Sequence, residues 1–165
     1  MLYLIPSLLS GYLTKLCDDY SEQKNKLISF SIIFSLLYAV SIIFCAILQP
    51  SLLPLIAGVV TGNIFAGKID RREHILASIL IILFYILNFN FLFFWIFFLF
   101  AFTSFIDEFL HEWGTKIKNE YITSRFISPF IAFILSIYLN DFSYVLFMVL
   151  FDIGYKVGAN RKLIK

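Results

Sequence analysis

Long apolar runs separated by short polar stretches organise this chain, and none of the runs shows the period-two alternation of a membrane β-barrel strand. Residues 27–48 (LISFSIIFSLLYAVSIIFCAIL) are continuous, and Gln49-Pro50 ends them because proline disfavours helix at the residue before it. The next segment, 51–67, carries Pro54 just inside its start and is short for a bilayer. Ile75 to Ile106 contain no charged residue. As one helix they would extend ~48 Å, at ~1.5 Å per residue, against a hydrocarbon core of about 30 Å. Asn88-Phe89-Asn90 lies near the middle, and asparagine accepts turn conformations, so the pattern predicts a tight hairpin of helices over 70–88 and 91–113. A second hairpin, 124–139 and 142–158, turns at Asn140-Asp141. Residues 2–16 are either a short span or a re-entrant or interfacial segment.

The pattern predicts an all-α integral membrane protein, a bundle of six to seven transmembrane helices arranged largely as hairpins, with residues 1–165 forming one domain. Composition agrees: 61% of residues are hydrophobic, 21 are Phe and only 15% are charged, with a mean hydropathy of +0.90. Soluble domains average roughly 45–50% apolar and about 25% charged. The charges add an orientation. The turns at 49–54, 88–90 and 140–141 fall on one side, and all 13 Lys and Arg fall on the other, which the positive-inside rule places in the cytoplasm. The expected location is therefore the cell membrane, with basic loops and C-terminus cytoplasmic. Of the 11 acids, only Asp141 belongs to a turn on the outer side. Gly58, Gly62 and Ala66 recur every four positions, as close helix packing in lipid requires. Cys17 and Cys45 lack CxxC spacing and read as ordinary thiols. The N-terminal segment lacks the basic region and cleavage site of a signal peptide.

Chemistry concentrates where the first hairpin returns to the basic side. Its incoming helix begins KIDRREH (68–74) and its outgoing helix ends DEFLHEWG (107–114). Asp70 and Glu108 are equally far in sequence from Phe89, each ~28 Å from the turn and so level with one another. Asp70/His74 and Asp107/His111 are four apart, and Glu108/His111 three apart, so each pair shares a helix face. Carboxylates and histidines so spaced on facing helices build two-metal carboxylate sites. Asp70, His74, Glu108, His111 and Glu112 are thus the expected ligands of a divalent Mg, Mn, Fe or Zn ion. Such an ion would activate water or polarise a phosphoryl oxygen. Asp107 and Asp152 are the expected catalytic acids. Lys68, Arg71, Arg72 and Arg125 are the expected holders of an anionic substrate.

The same residues admit a plainer account. Asp70 and Glu73 resemble a capping box, helix-end charges suit the helix dipole, and Lys and Arg at this level suit anionic headgroups. The two histidines are also mismatched in depth, His74 at ~22 Å and His111 at ~33 Å from the turn. Asp152 has Lys156 four positions on and Arg125 within reach from the partner helix, which suits an ion pair, and Asn63 suits a bond across helices.

Three functions fit. The favoured one is an integral-membrane enzyme, a metal-dependent hydrolase or transferase, acting at the cytoplasmic leaflet on a lipid or lipid-linked phosphate. The second is a small transporter or channel component with Asp152, Asn63 and segment 51–67 along a pathway. The third is a non-catalytic subunit of a membrane complex. Membrane lipid is the expected environment, with a homo-oligomer or partner subunits admitted and no nucleic acid. The DG-x-x-AR core of alcohol phosphatidyltransferases, the GxGD of intramembrane aspartyl proteases and the H-E-x-x-H of zinc proteases are all absent.

Overall fold

A computed structural model describes residues 2–22, 28–88, 93–118 and 125–160, those at 28 and 29 by their backbone only. The described residues form helices and no strands: α1 (Leu4–Glu22), α2 (Ile28–Leu48), α3 (Leu52–Phe65), α4 (Arg72–Leu87), α5 (Phe94–Lys116), α6 (Ile127–Tyr138) and α7 (Ser143–Asn160). Two of them, over Phe30–Leu48 and Phe94–Lys116, are long and apolar enough to cross a membrane. Residues 89–92, which hold Phe89 and Asn90 of the expected first turn and the expected start of the helix over 91–113, lie outside the described residues, as do Lys24, Lys26, Arg161, Lys162 and Lys165.

Local chemistry explains the helix ends. Pro54 sits in the first turn of α3, where a missing N–H would have had no helical acceptor in any case. Gly67, with φ of +69°, closes α3: its N–H donates to Ile64 O (3.0 Å) and that of Lys68 to Asn63 O (3.0 Å). Asn140, with φ of +53°, closes α6 in the same way, through Asn140 N–H to Ile137 O (3.3 Å) and Asp141 N–H to Ser136 O (3.0 Å). Both pairs are the double bond of a Schellman motif, which favours glycine or asparagine in the left-handed position.

The helices form a closed ring of neighbours, α1–α2–α4–α3–α5–α6–α7 and back to α1, with α3 also reaching across to α2 and α7. The first half of α3, Leu52 to Gly58, is accordingly buried throughout. The expected side-by-side pairing of α4 and α5 is replaced by this order. They meet near the turn, where Tyr85 stacks on Phe97 at 5.1 Å, but α3 is the principal neighbour of α5 and packs on α4 as well. Glycine is the reason. A Cβ at Gly58 would stand 2.5 Å from Phe97 O, and one at Gly62 would stand 2.4 Å from Ala101 O. The backbones of α3 and α5 thus touch directly, in the packing role expected of these two glycines. Ala66, the third of the series, lies past the helix end as its C-cap. Gly11 and Gly154 bring α1 and α7 together in the same manner, each nearly against a carbonyl of the other helix.

The interior between helices is rich in serine, with Ser7, Ser10, Ser31, Ser35 and Ser136 almost fully buried. Ser10 returns its hydrogen bond to the carbonyl of Ser7 in its own helix, and Ser41 bonds across from α2 to Pro6 O of α1 (2.9 Å). The outward faces are apolar, carrying Val40, Ile79, Leu83, Phe98, Phe102, Phe109 and Ile137 among many others.

The turns gather at one end. Asp141 accepts hydrogen bonds from Ser51 Oγ (2.8 Å), Gln49 Nε2 (3.3 Å) and the Ser143 backbone N–H (3.0 Å), which ties the α2–α3 turn to the α6–α7 turn. Burial acts to raise its pKa, but these donors together hold the carboxyl below its ordinary value. Asn88 joins the same end, lining an apolar cleft with Pro50, Ser51, Phe84 and Phe93.

Candidate functional site at the charged end

At the opposite end the helices finish at different heights. Tyr38, in the second turn-pair of α2, meets His74 in the first turn of α4. About 15 Å of α2 therefore rises past the start of α4. On α5, Asp107 meets the start of α6, which leaves ~14 Å of α5 rising past it. At this end α1, α7 and the segment that enters α4 form an open recess of about 260 Å³ lined by Lys15, Asp18, Glu22, Lys68, Asp70, Arg71, His74 and Tyr155.

Asp18 anchors the recess. It belongs to α1, which continues past Cys17 because Leu13, Leu16, Cys17 and Tyr20 recur at helical spacing, the first three buried. Tyr20 stacks on Phe34 of α2, with ring centroids 5.2 Å apart. This turn presents Asp18 to α4 and α7, where its Oδ1 lies 2.9 Å from His74 Nε2 and its Oδ2 accepts the Tyr155 hydroxyl at 2.8 Å. The other ring nitrogen, His74 Nδ1, lies 3.1 Å from the hydroxyl of the buried Tyr38. Ser35 Oγ donates to Glu73 O, holding α2 against the same turn of α4. Lys15 pairs with Asp19 (3.0 Å) and lies over the Tyr155 ring. Arg71 donates to the Ser21 hydroxyl and takes part in no ion pair among the described residues.

The residues expected to form the site are divided by this architecture. Asp70 and His74 line the recess together, with Lys68 and Arg71. Glu108, His111 and Glu112 sit on α5, on the far side of α3 from α4. Glu108 is buried beneath Arg125, which grips both its oxygens (Nε to Oε1 2.9 Å, Nη2 to Oε2 3.0 Å). Glu112 is exposed and paired with Lys68 at 2.7 Å, one link between α5 and the recess. Asp107 is buried and accepts the backbone N–H groups of Ile127 (2.8 Å) and Ser128 (2.7 Å), so it caps α6 from a neighbouring helix. Asp152 is exposed on α7 and paired with Lys156 at 2.5 Å. Arg72 is exposed and outside the recess lining. No three His, Cys, Asp or Glu side chains among the described residues come together as metal ligands. The single metal cluster expected across α4 and α5 is therefore not assembled, because α3 stands where the two helices were expected to face each other. The capping box is also replaced: Arg71 is the N-cap of α4, without a side-chain bond. Asn63 does bond across helices, accepting from Ser104 Oγ at 2.8 Å.

Lys15, Asp18, Glu22, Tyr38 and Tyr155 were not anticipated. The signal for Asp18 lay in the Leu13–Tyr20 spacing, which carries the first helix past residue 16. Tyr38 and Tyr155 carry no such signal, being single tyrosines within apolar runs. Compared with protein-family models, curated proteins and solved structures, the chain matches none.

Proposed function

We propose that this chain is a multi-pass membrane enzyme, oriented with its charged end in the cytoplasm, that acts on the phosphate group of a membrane lipid or lipid-linked phosphate. The observation that carries the reading is Arg71 in the recess: it lies there beside the Asp18–His74 pair and has no ion-pair partner among the described residues. Lys15 and Lys68, by contrast, are paired with Asp19 and Glu112, and Glu22 and Asp70 also line the recess. Cations that donate in several directions suit phosphate oxygens, arginine above all. The start of α4 adds to this, since its N-cap, Arg71, makes no side-chain capping bond and helix N-termini favour anions. Apolar outward faces suit lipid around the helices.

Reconstitution tests both parts. In vesicles of phosphatidylcholine carrying phosphatidic acid, the wild type binds or turns over the anionic lipid, and Arg71→Ala weakens this at least tenfold. With Cys17 and Cys45 replaced, a cysteine at position 140 labels from one side of the vesicle and one at position 70 from the other. Labelling of both from the same side overturns the topology. Indifference of the wild type to anionic lipid overturns the substrate class.

A further inference from the structure

Hydrogen bonds from two helices converge on Asp18, and a third helix fixes one of the donors. His74 of α4 presents Nε2 to Asp18 Oδ1 at 2.9 Å, and Tyr155 of α7 donates its hydroxyl to Oδ2 at 2.8 Å. Nε2 faces a carboxylate that can only accept, so it carries the ring proton. In the neutral ring Nδ1 is then an acceptor, and the Tyr38 hydroxyl, 3.1 Å away on α2, donates to it. Tyr38 thus selects the tautomer and His74 the rotamer of the carboxylate. Both ring nitrogens are engaged, and the recess meets the carboxylate more than the ring: the Asp18 side chain is 27% exposed and that of His74 16%.

Cys17 offers a rival chemistry that the geometry rejects. Its Sγ lies 3.9 Å from His74 Nε2, the nitrogen already committed to Asp18, and its thiol donates to Ser31 O at 3.4 Å. A Cys–His–Asp triad needs the thiol on one ring nitrogen and the carboxylate on the other. Cys17 is also fully buried.

Resting on the reading that a phosphate ester occupies this recess, we propose that Asp18 is its general base, with His74, Tyr38 and Tyr155 as positioning residues. Arg71 neutralises the phosphate oxygens, joined by Lys68 on exchange of its exposed Glu112 partner for phosphate. A water molecule or substrate hydroxyl beside Asp18 gives its proton to the carboxylate as its oxygen bonds to phosphorus. The bond from phosphorus to the leaving oxygen breaks with its electron pair on that oxygen. The departing alkoxide, on the opposite side of phosphorus, takes a proton from solvent water, and the carboxyl loses its proton to solvent and is again a carboxylate. The two donors on Asp18 keep it aimed before the transfer, and general-base catalysis of this kind contributes typically ~10²–10⁴-fold.

The test uses full-length protein in vesicles carrying phosphatidic acid, with soluble glycerol phosphate as a second substrate to separate a lipid headgroup from a free phosphate ester. Asp18→Asn is expected to lower turnover at least a hundredfold while lipid binding persists. His74→Gln and Tyr38→Phe are expected to lower it less and to move the acidic limb of the pH–rate profile, and Cys17→Ala to leave that profile unchanged. Turnover by Asp18→Asn within tenfold of wild type overturns the inference and leaves the binding reading standing. Should Asp18→Asn not fold, an unmoved acidic limb in both His74→Gln and Tyr38→Phe overturns it equally. Wild-type protein that binds neither substrate overturns the reading beneath it.

Discussion

Asp141 and Asp18 stand at opposite ends of the bundle, and each collects hydrogen bonds from separate parts of the chain. At the turn end the donors to Asp141 are a serine hydroxyl, an amide side chain and a backbone N–H, so the carboxylate is consumed in joining two turns. At the charged end the donors to Asp18 are an imidazole and a phenol from two other helices, and a recess lined by Lys15, Lys68 and Arg71 together with Glu22 and Asp70 opens beside them. A hydrogen-bonded carboxylate is therefore not a site in itself. Side-chain donors held by other helices and room for a ligand separate the two. Asp107 falls with Asp141 in this respect, because it is buried against the backbone amides that begin α6 and lies outside the recess.

The largest effect that would break this division comes from Asp107. Asp107→Ala strips two buried amides of a charged acceptor and should lower stability by about 3 kcal/mol, measured by thermal unfolding in detergent. Turnover per folded molecule should remain within about threefold of wild type, whereas Asp18→Asn should show the reverse pattern. If Asp107→Ala abolishes turnover without loss of stability, the α5 acids belong to the site after all.

A smaller effect is expected at Asp141. Its folded pKa is depressed, so its stabilising contribution is fully present above the ordinary carboxylate value of about 4 and fades as pH falls through the folded value. Asp141→Asn should therefore cost up to about 1 kcal/mol at neutral pH, a difference from wild type that shrinks below pH ~4. A cost that is independent of pH would mean that shape, not charge, ties the turns. The smallest effect belongs to Asp152, whose pair with Lys156 is open on both sides. Asp152→Asn should change stability by less than about 0.5 kcal/mol and leave turnover unaltered.

Much of the helical layout was legible in the sequence, and the candidate site only in part. The ends of α2, α3 and α6 follow from Pro50, Gly67 and Asn140, whose backbone preferences act locally. His74, Asp70, Lys68 and Arg71 were legible because polar residues at the edge of an apolar run are conspicuous. Asp18 was obscured by placing the end of the first helix at residue 16, and Tyr38 by its position inside the run 27–48. The pairing of α4 with α5 was misread for a different reason: a hairpin implies neighbours only if no third helix fits between them, and α3 does.

By itself the sequence determined the helices, their turns, the gathering of charge at one end and the depth of each residue along its own helix. Those properties depend on local backbone chemistry and on a rise of ~1.5 Å per residue, which accumulates along a helix whatever lies beside it. Tertiary structure decided which depths face each other across the bundle. Gly58 and Gly62 admit the backbone of α5 to α3, Gly11 and Gly154 join α1 to α7, and so the partners of His74 become Asp18 and Tyr38, not the acids of α5. Lateral order follows from the shapes of surfaces distant in the chain, which no single stretch of residues encodes.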